Sequence, residues 1–209
     1  MLKVWISGAN GHLGQALCTR LDREKYQLIA TDVAEVDVTV PAEVRAFADA
    51  NRPDVIINCA AYTNVDGCEV NHDAAFKANA LGPRNLAQAA TKTGARLVHV
   101  STDYVFSGRE NGGIAQDEAT LPGPISAYGS TKLMGEKYVE QFCHRHFIVR
   151  TAWLYSYYGK NCAESTLAVS DYSIPVTGAV RAGRVYGTQF HPEKSGDTGL
   201  RILKAFAEL

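Results

Sequence analysis

The feature that most constrains the fold is a glycine-rich turn near the start of the chain, "GANGHLG", with glycines at Gly8, Gly11 and Gly14. An apolar run at residues 2–7 precedes it and indicates a buried parallel strand. A helical pattern follows as far as about residue 21. Glycine lets the backbone turn tightly between the strand and the helix. The segment therefore predicts the first strand–turn–helix unit of an α/β protein.

Strand and helix patterns alternate along the following residues as well. Strands are predicted at residues 26–31, 54–58, 95–101 and 146–153, and helical segments at residues 41–51, 70–93 and 126–143. The Gly-Pro pair at residues 82–83 marks a break or kink in the second helical segment, and Ser126 is suited to cap the third. Such alternation is typical of a parallel sheet covered by helices on both faces. We therefore predict a Rossmann-like doubly wound α/β fold.

The pattern changes after about residue 159. Short β runs follow at residues 165–170, 175–181 and 184–190, and a helix is predicted at residues 197–208. The stretch "RAGR" is a hairpin turn signal, so these strands are expected to pair antiparallel. We predict a Rossmann domain at residues 1–160, extended by an antiparallel β segment and a final helix at residues 161–209. The two parts are expected to pack on one sheet as a single domain.

Composition limits the classes of protein to which the chain can belong. Its 209 residues carry a formal net charge of -1, which argues against a general nucleic-acid or anionic-membrane binder. The five cysteines are odd in number and form no CxxC pair, so no metal site is predicted, and reduced thiols in a cytosolic protein are expected. No signal peptide or membrane span is recognisable. We expect a cytoplasmic protein, and its oligomeric state stays open.

The placement of the glycine turn suits a nicotinamide dinucleotide. Gly8, Gly11 and Gly14 would let the backbone approach a pyrophosphate, whose charge lies at the helix N-terminus. Asp32 ends the second predicted strand, where a carboxylate accepts hydrogen bonds from ribose hydroxyls and repels a 2′-phosphate. NAD or NADP is therefore the expected cofactor, with a weak preference for NAD. The alternative is a tight turn with no ligand.

A second constellation, "YGSTK", places Tyr128 and Lys132 on one face of a helix. A lysine ammonium beside a phenol favours the phenolate, so we expect a lowered tyrosine pKa. Tyr128 could then donate a proton to a carbonyl oxygen while hydride arrives from the nicotinamide. Thr102, just past the fourth strand, could hydrogen-bond the same oxygen. The alternative interpretation is an ordinary exposed helical pair.

With these motifs in view, residues 1 to about 161 resemble the extended short-chain dehydrogenase/reductase family, and within it the dTDP-4-dehydrorhamnose reductases. The matching stretches are "GANGHLGQAL", "DVIINCAAYTNVDGCE", "AFKANALGPRNLA", "VHVSTDYVFSG", "YGSTKLMGE" and "VRTAWLY". The resemblance implies cofactor contacts, from the pyrophosphate through the adenine to the nicotinamide, at Gly11, His12, Leu13, Asp37, Val38, Ala61, Tyr62 and Thr63. It implies a catalytic trio of Thr102, Tyr128 and Lys132, and contacts to a sugar nucleotide at Asp103, Tyr104 and Trp153.

The C-terminal stretch resembles a different family. From about residue 155, and most clearly in "QFHPEKSG" and "GLRIL", the chain is similar to the end of the glutamine amidotransferase subunit of imidazole glycerol phosphate synthase, an enzyme of histidine biosynthesis. By that resemblance His191 would be the general base and Glu193 would orient it, both serving a cysteine nucleophile. The sequence has no GxCxG motif for such a cysteine. Glutaminase activity is therefore not expected.

Together the two resemblances suggest an engineered chimera. The reductase pattern departs after "WLY", where the family continues into a substrate domain, so the substrate-binding half is expected to be absent. We expect binding of NAD or NADP with little or no turnover. The alternatives are a structural hybrid that binds no ligand and an active NAD(P)H-dependent 4-keto-sugar nucleotide reductase.

Overall fold

A computed structural model describes residues 1–108, residues 116–152 and three strands between residues 168 and 188. The chain divides into two compact units, Met1–Leu154 and Tyr155–Leu209. The described strands of the first unit are β1 (Leu2–Ser7), β2 (Tyr26–Thr31), β3 (Val55–Asn58), β4 (Arg96–Thr102) and β5 (His146–Thr151). They form a parallel sheet with the order β2-β1-β3-β4-β5. The predicted Rossmann-like sheet is confirmed.

Helices connect these strands. Those in the described residues are α1 (His12–Arg20), α2 (Pro41–Asn51), α3 (Val65–Val70), α4 (His72–Phe76), α5 (Gly82–Thr93) and α6 (Ala127–Phe142). A π-helical turn, Lys77–Leu81, leads into α5, and a 3-10 turn, Asp103–Val105, follows β4. None of the described helices is long and apolar enough to cross a membrane.

Helices cover both faces of the sheet at its central strands, and side chains point alternately toward the two faces along each strand. On one face Trp5, Ile56 and Leu97 pack with residues of α2, α5 and α6. On the other face Val4 and Ile6 pack with residues of α1. This alternation explains why the strands are apolar almost throughout, as is usual for a parallel sheet with helices on both sides.

The predicted break at residues 82–83 takes the form of the π-helical turn. Pro83 has no backbone N–H to donate to the preceding turn, and it stands near the start of α5, directly after the π-helical turn. The chain therefore stays helical through the Gly-Pro pair, and the widened turn lies just before it. This turn holds the buried side chain of Asn79.

Helix α6 approaches its neighbours closely at two glycines. Ser126 caps the helix as predicted, because its Oγ accepts a hydrogen bond from the Gly129 N–H at 3.0 Å. A Cβ added to Gly129 would lie 2.2 Å from the Tyr104 carbonyl oxygen, and one added to Gly135 would lie 2.2 Å from the Asn79 carbonyl oxygen. No other residue type fits either position without displacing backbone.

The second unit contains an antiparallel sheet, as the hairpin signal predicts. Its described strands are β6 (Ala168–Asp171), β7 (Pro175–Ala182) and β8 (Val185–Thr188), paired in the order β6-β7-β8. They form a sheet of their own. The final helix predicted at residues 197–208 lies outside the described residues, and the packing of the two parts as one domain stays a prediction.

Gly135→Ala tests the close approach of α6. On helix propensity alone, alanine would stabilise a helix interior by roughly 0.5–1 kcal/mol. Because the added Cβ meets backbone at 2.2 Å, we expect the free energy of unfolding to fall instead, by about 1–3 kcal/mol. Urea unfolding measures the change. The matched control is Gly123→Ala, whose Cβ would lie 3.8 Å from its neighbour; equal effects at both positions would contradict this packing.

Candidate active site

A cleft of about 570 Å³ opens where β1, β2 and β3 end. Its lining residues include Gly8, Gly11, Asp32, Ala60 and Tyr62. The chain leaves β1 toward β2 on one side and later adds β3 on the other, so the cleft lies where the strand order reverses. Ligands of open α/β sheets bind at such switch points. The position matches the one that the glycine turn predicts.

The glycine turn forms a cradle that side chains would fill. Gly8 has a φ of 72°, and a Cβ on it would lie 2.5 Å from the Ala60 nitrogen. A Cβ on Gly14 would lie 2.3 Å from the Gly8 carbonyl oxygen. Gly11 begins α1 and no side chain of the described residues caps that helix end. The first-turn N–H groups, including those of His12 and Leu13, thus keep the donor capacity that suits an anion.

Asp32 has a role in the structure that the sequence did not reveal. One carboxylate oxygen accepts the Asn10 N–H at 2.9 Å, and the other accepts the Val33 N–H at 2.8 Å. The side chain therefore ties the glycine turn to the end of β2, and Asp32 also lines the cleft.

The two residues predicted beside the adenine, Asp37 and Val38, also line this cleft. Asp37 accepts hydrogen bonds from the backbone N–H and the hydroxyl of Thr39, at 2.8 and 2.7 Å. Val38 is buried, and its Cγ2 would lie 3.0 Å from a Cβ added to Gly82. Both side chains are thus held by their own surroundings at the rim of the cleft.

The opposite wall of the cleft is attached to α6 through Asn79. Asn79 accepts the Tyr62 N–H at 2.8 Å and donates to the Tyr62 carbonyl at 3.1 Å and to the Thr131 hydroxyl at 3.2 Å. Ala61 and Tyr62 line the cleft, whereas Thr63 is exposed and does not. The wall and the helix that carries Tyr128 are therefore fixed relative to each other.

Thr102 and Tyr128 come together at the end of β4. Burial raises the pKa of the Tyr128 phenol, and the neighbouring Thr102 hydroxyl opposes this with a smaller lowering effect. The Tyr104 and Tyr128 rings meet edge to face, with centroids 5.5 Å apart. The Thr102 hydroxyl also donates to the Asp103 carboxylate at 3.1 Å. The structure thus brings together four of the residues that the sequence singles out.

The expectation that Lys132 lowers the pKa of Tyr128 is wrong for this structure. The Lys132 ammonium donates instead to the Val100 carbonyl oxygen at 2.6 Å. Lys132 is only 2% exposed, and burial lowers its own pKa to about 8, against the opposing effect of the Glu136 charge. Sequence spacing correctly places the two residues on one helix, but it could not tell which acceptor the ammonium would choose.

Glu136 is a buried charge that the sequence analysis missed. It is fully buried and accepts two hydrogen bonds from the Arg150 guanidinium, at 3.0 and 2.7 Å. It also accepts from the Ser101 hydroxyl at 2.5 Å. Its place four residues after Lys132 was the available signal, because that spacing puts both side chains on one face of α6.

A second cleft, of about 780 Å³, lies beside β5 and the end of β4. Asp103, Phe106, Glu136, Arg150 and residues of the 116–118 segment line it. Of the residues predicted to face a sugar nucleotide, Asp103 lines this cleft and Tyr104 packs on Tyr128. Trp153, His191 and Glu193 lie outside the described residues. No cluster of three or more potential metal ligands occurs in the part of the chain that the structure describes.

Most of the chain matches one known protein family. The model of the family described as RmlD substrate binding domain matches residues 2–175. The chain belongs to this family. A dTDP-4-dehydrorhamnose reductase of Aggregatibacter actinomycetemcomitans is 36% identical over 171 residues, which cover 81% of this chain and 58% of that protein. Its counterpart in Mycobacterium tuberculosis H37Rv is 41% identical over 153 residues, covering 72% of this chain and 50% of that protein.

Solved structures of RmlD-type reductases show the same fold. A dTDP-4-dehydrorhamnose reductase of Bacillus anthracis in complex with NADP has a TM-score of 0.75 and 44% identity, covering 78% of this chain and 57% of that one. The protein of Clostridium acetobutylicum has a TM-score of 0.72 and 45% identity, covering 77% and 56% of the two chains. The chain spans somewhat more than half the length of these relatives.

Lys132→Met tests the burial of this ammonium. Because the lysine pKa falls from its usual 10.5 to about 8 on folding, the unfolded chain binds more protons than the folded chain between these pH values. The contribution of Lys132 to the free energy of unfolding therefore increases as the pH rises through that window, by up to about 1.4 kcal/mol per pH unit.

The measurement is urea unfolding of wild type and variant at several pH values from 7.5 upward. Cysteine and tyrosine side chains titrate in the same range, so the difference between the two proteins isolates Lys132. The free energy of unfolding of the wild type should increase relative to that of the variant as the pH rises. A difference that stays constant would mean that Lys132 titrates with an ordinary pKa.

Proposed function

We propose that the chain binds NAD(H) or NADP(H) in the cleft of about 570 Å³ and reduces a 4-keto sugar nucleotide beside it. The observation that carries the proposal is the placement of the Tyr128 phenol beside the Thr102 hydroxyl at the end of β4. The Thr131 hydroxyl donates to the Tyr128 carbonyl oxygen and accepts from Asn79, which also accepts the Tyr62 N–H of the cleft wall. The RmlD-family relatives named as dTDP-4-dehydrorhamnose reductases support dTDP-4-dehydrorhamnose as the substrate.

The cleft suits a dinucleotide because a cradle of glycines can admit a pyrophosphate. The residues proposed to hold the pyrophosphate are those of the turn and the first turn of α1, namely Gly8, Gly11, His12, Leu13 and Gly14. Asp32 would contact the adenine ribose, Asp37 and Val38 the adenine, and Ala61, Tyr62 and Thr63 the nicotinamide side. The relative from Bacillus anthracis was crystallised with NADP, which supports NADP as a cofactor.

In the proposed reaction, Tyr128 donates its phenolic proton to the carbonyl oxygen of the substrate. The bound cofactor supplies hydride to the carbonyl carbon. Thr102 orients the same oxygen through its hydroxyl, and Lys132 places a positive charge one helical turn away. The raised pKa of Tyr128 keeps the phenol protonated at neutral pH, the state needed for a proton donor. Asp103, Tyr104 and Trp153 are the proposed contacts to the sugar nucleotide.

A second candidate is cofactor binding without turnover, in a chimera whose C-terminal part derives from an amidotransferase. The motif "QFHPEKSG", with His191 and Glu193, favours this candidate, and it follows the family match that ends at residue 175. Glutaminase chemistry is not proposed. Burial raises the pKa of Cys59 to about 12, whereas a cysteine nucleophile needs a thiolate near neutral pH.

Thermal melts with NADH and with NADPH test cofactor binding and its preference. Ligand at a hundredfold excess over Kd should add about 2.7 kcal/mol to the stability. We expect the larger shift with NADH, because Asp32 and Asp37 line the cleft and its described lining contains no lysine or arginine. Asp32→Asn keeps an acceptor for the Asn10 N–H but removes the charge. It should improve NADPH binding relative to NADH roughly tenfold; an unchanged ratio would rule out Asp32 as the discriminating group.

Tyr128→Phe tests the reduction itself. Loss of a proton donor should lower kcat for dTDP-4-dehydrorhamnose by roughly 10²–10⁴-fold, and the Kd for NADH should stay the same. Stopped assays of product and fluorescence titration measure the two quantities. Tyr138→Phe on the same helix, where Tyr138 packs on Phe142, is the matched control and should be fully active. Cofactor binding with no turnover in the wild type would favour the second candidate.

A further inference from the structure

A row of buried polar side chains crosses the sheet just beneath the proposed cofactor cleft. Ser7 of β1, Asn58 of β3 and His99 of β4 stand directly opposite one another in register. The Ser7 hydroxyl donates to Asn58 Oδ1 at 3.0 Å, and Asn58 Nδ2 lies 3.1 Å from His99 Nδ1. All three side chains are at most 1% exposed. The row is therefore a continuous hydrogen-bonded chain with no access to solvent.

The bonds of Asn58 determine the state of the histidine ring. Its Oδ1 accepts from the Ser7 hydroxyl and also from the Ala60 N–H at 3.1 Å, so its amide nitrogen must face His99. His99 Nδ1 therefore accepts a hydrogen bond, and the proton of the neutral ring is on Nε2. Burial and the nearby Lys132 charge both lower the pKa of His99 well below its ordinary value. The ring remains a neutral acceptor at working pH.

The hydrogen-bonded row of Ser7, Asn58 and His99 is connected to the wall of the cleft. Ala60 lines the cleft, and its N–H is bound by Asn58. The same Ala60 nitrogen is the atom that a Cβ on Gly8 would meet at 2.5 Å. Asn58 thus holds the wall of the cleft against the glycine turn at the point of closest approach.

Core packing alone does not explain a histidine at position 99. One layer deeper, the corresponding positions of the same three strands are Trp5, Ile56 and Leu97, which are fully buried and fill the space with mostly apolar side chains. His99 also leaves its Nε2 without a hydrogen-bond partner among the described residues. A buried donor without a partner costs free energy of folding. The presence of a histidine here, rather than an apolar residue, therefore indicates a role for its Nδ1.

We propose that His99 is a positioning residue for cofactor binding, which acts through Asn58 to hold Ala60 against the glycine turn. The inference rests on the proposed function in one respect: the ligand whose affinity depends on the wall is the nicotinamide dinucleotide. The position of the wall itself does not depend on any ligand.

Two substitutions separate positioning from packing. His99→Leu fills the volume but removes the acceptor, which leaves the Asn58 amide unpaired. His99→Asn places an oxygen where Nδ1 stood and keeps the acceptor, but it removes volume. A packing role predicts that asparagine is the worse substitution, whereas a positioning role predicts that leucine is. Leu97→Val, one layer deeper on the same strand, is the matched control for lost core packing.

The first readout is the Kd for NADH, measured by nicotinamide fluorescence on protein shown to be folded. We expect His99→Leu to weaken binding by roughly 5- to 150-fold, the range that corresponds to one unpaired buried polar group. His99→Asn and Leu97→Val should bind as the wild type does, even where urea unfolding shows that they are less stable. Equal Kd values for His99→Leu and Leu97→Val would overturn the proposal.

The second readout is the hydrogen-exchange rate of the Ala60 amide in the cofactor-free protein. It should rise in His99→Leu relative to Leu97→Val and stay low in His99→Asn; equal rates in the two apolar variants would overturn the proposal. If the wild type binds neither NADH nor NADPH, the proposed function fails, and this exchange rate alone decides the role of His99.

If His99→Leu does not fold, nitrogen-15 spectra of the wild-type ring decide instead. A neutral ring with its proton on Nε2 from pH 5 to 8 supports the proposal. A ring that is charged at pH 6, or that carries its proton on Nδ1, overturns it.

Discussion

The close approach of α6 to the 3-10 turn after β4 and to the π-helical turn is the constraint on which the rest of the site depends. Gly129 and Gly135 allow it, since a Cβ at either position would lie 2.2 Å from a backbone oxygen. The helix carries Tyr128, Lys132 and Glu136 along one face, so its depth determines what each of them reaches. A helix displaced outward by a methyl group would separate Tyr128 from Thr102 and expose Lys132 to water. Packing and chemistry are thus set by the same two glycines.

A polar layer separates the apolar core from the edge of the sheet where the site lies. Beneath it are Trp5, Ile56 and Leu97, and within it are the Ser7–Asn58–His99 row and the charges of Lys132 and Glu136. Buried charges are tolerated only when paired, and Glu136 has Arg150 and Ser101 as partners while Lys132 has the Val100 carbonyl. These bonds give the layer one arrangement. The groups proposed for catalysis therefore stand on a rigid base rather than on mobile loops.

Much of the fold was predictable, because local patterns determine it. The strands of the first unit and helices α2 and α6 lie within a few residues of their predicted positions. The reason is that the pattern of neighbouring residues determines where a buried parallel strand or a capped helix forms. The π-helical turn was not predictable, because the Gly-Pro pair indicates a break without saying how the neighbouring turn accommodates it. Antiparallel pairing of β6, β7 and β8 followed from the hairpin signal. The sheet to which they belong depended on contacts distant in sequence.

The sequence by itself determined the α/β class, the glycine turn at the end of β1 and the presence of Tyr128 and Lys132 on one helical face. Each of these depends on residues a few positions apart. Only the tertiary structure decided that Lys132 bonds to Val100, that Asp32 ties down the glycine turn, and that His99 completes a row with Ser7 and Asn58. These contacts join residues that are 22 to 51 positions apart along the chain. A buried polar group forms hydrogen bonds with the partner that tertiary packing brings within reach, and the local sequence pattern does not predict which partner that is.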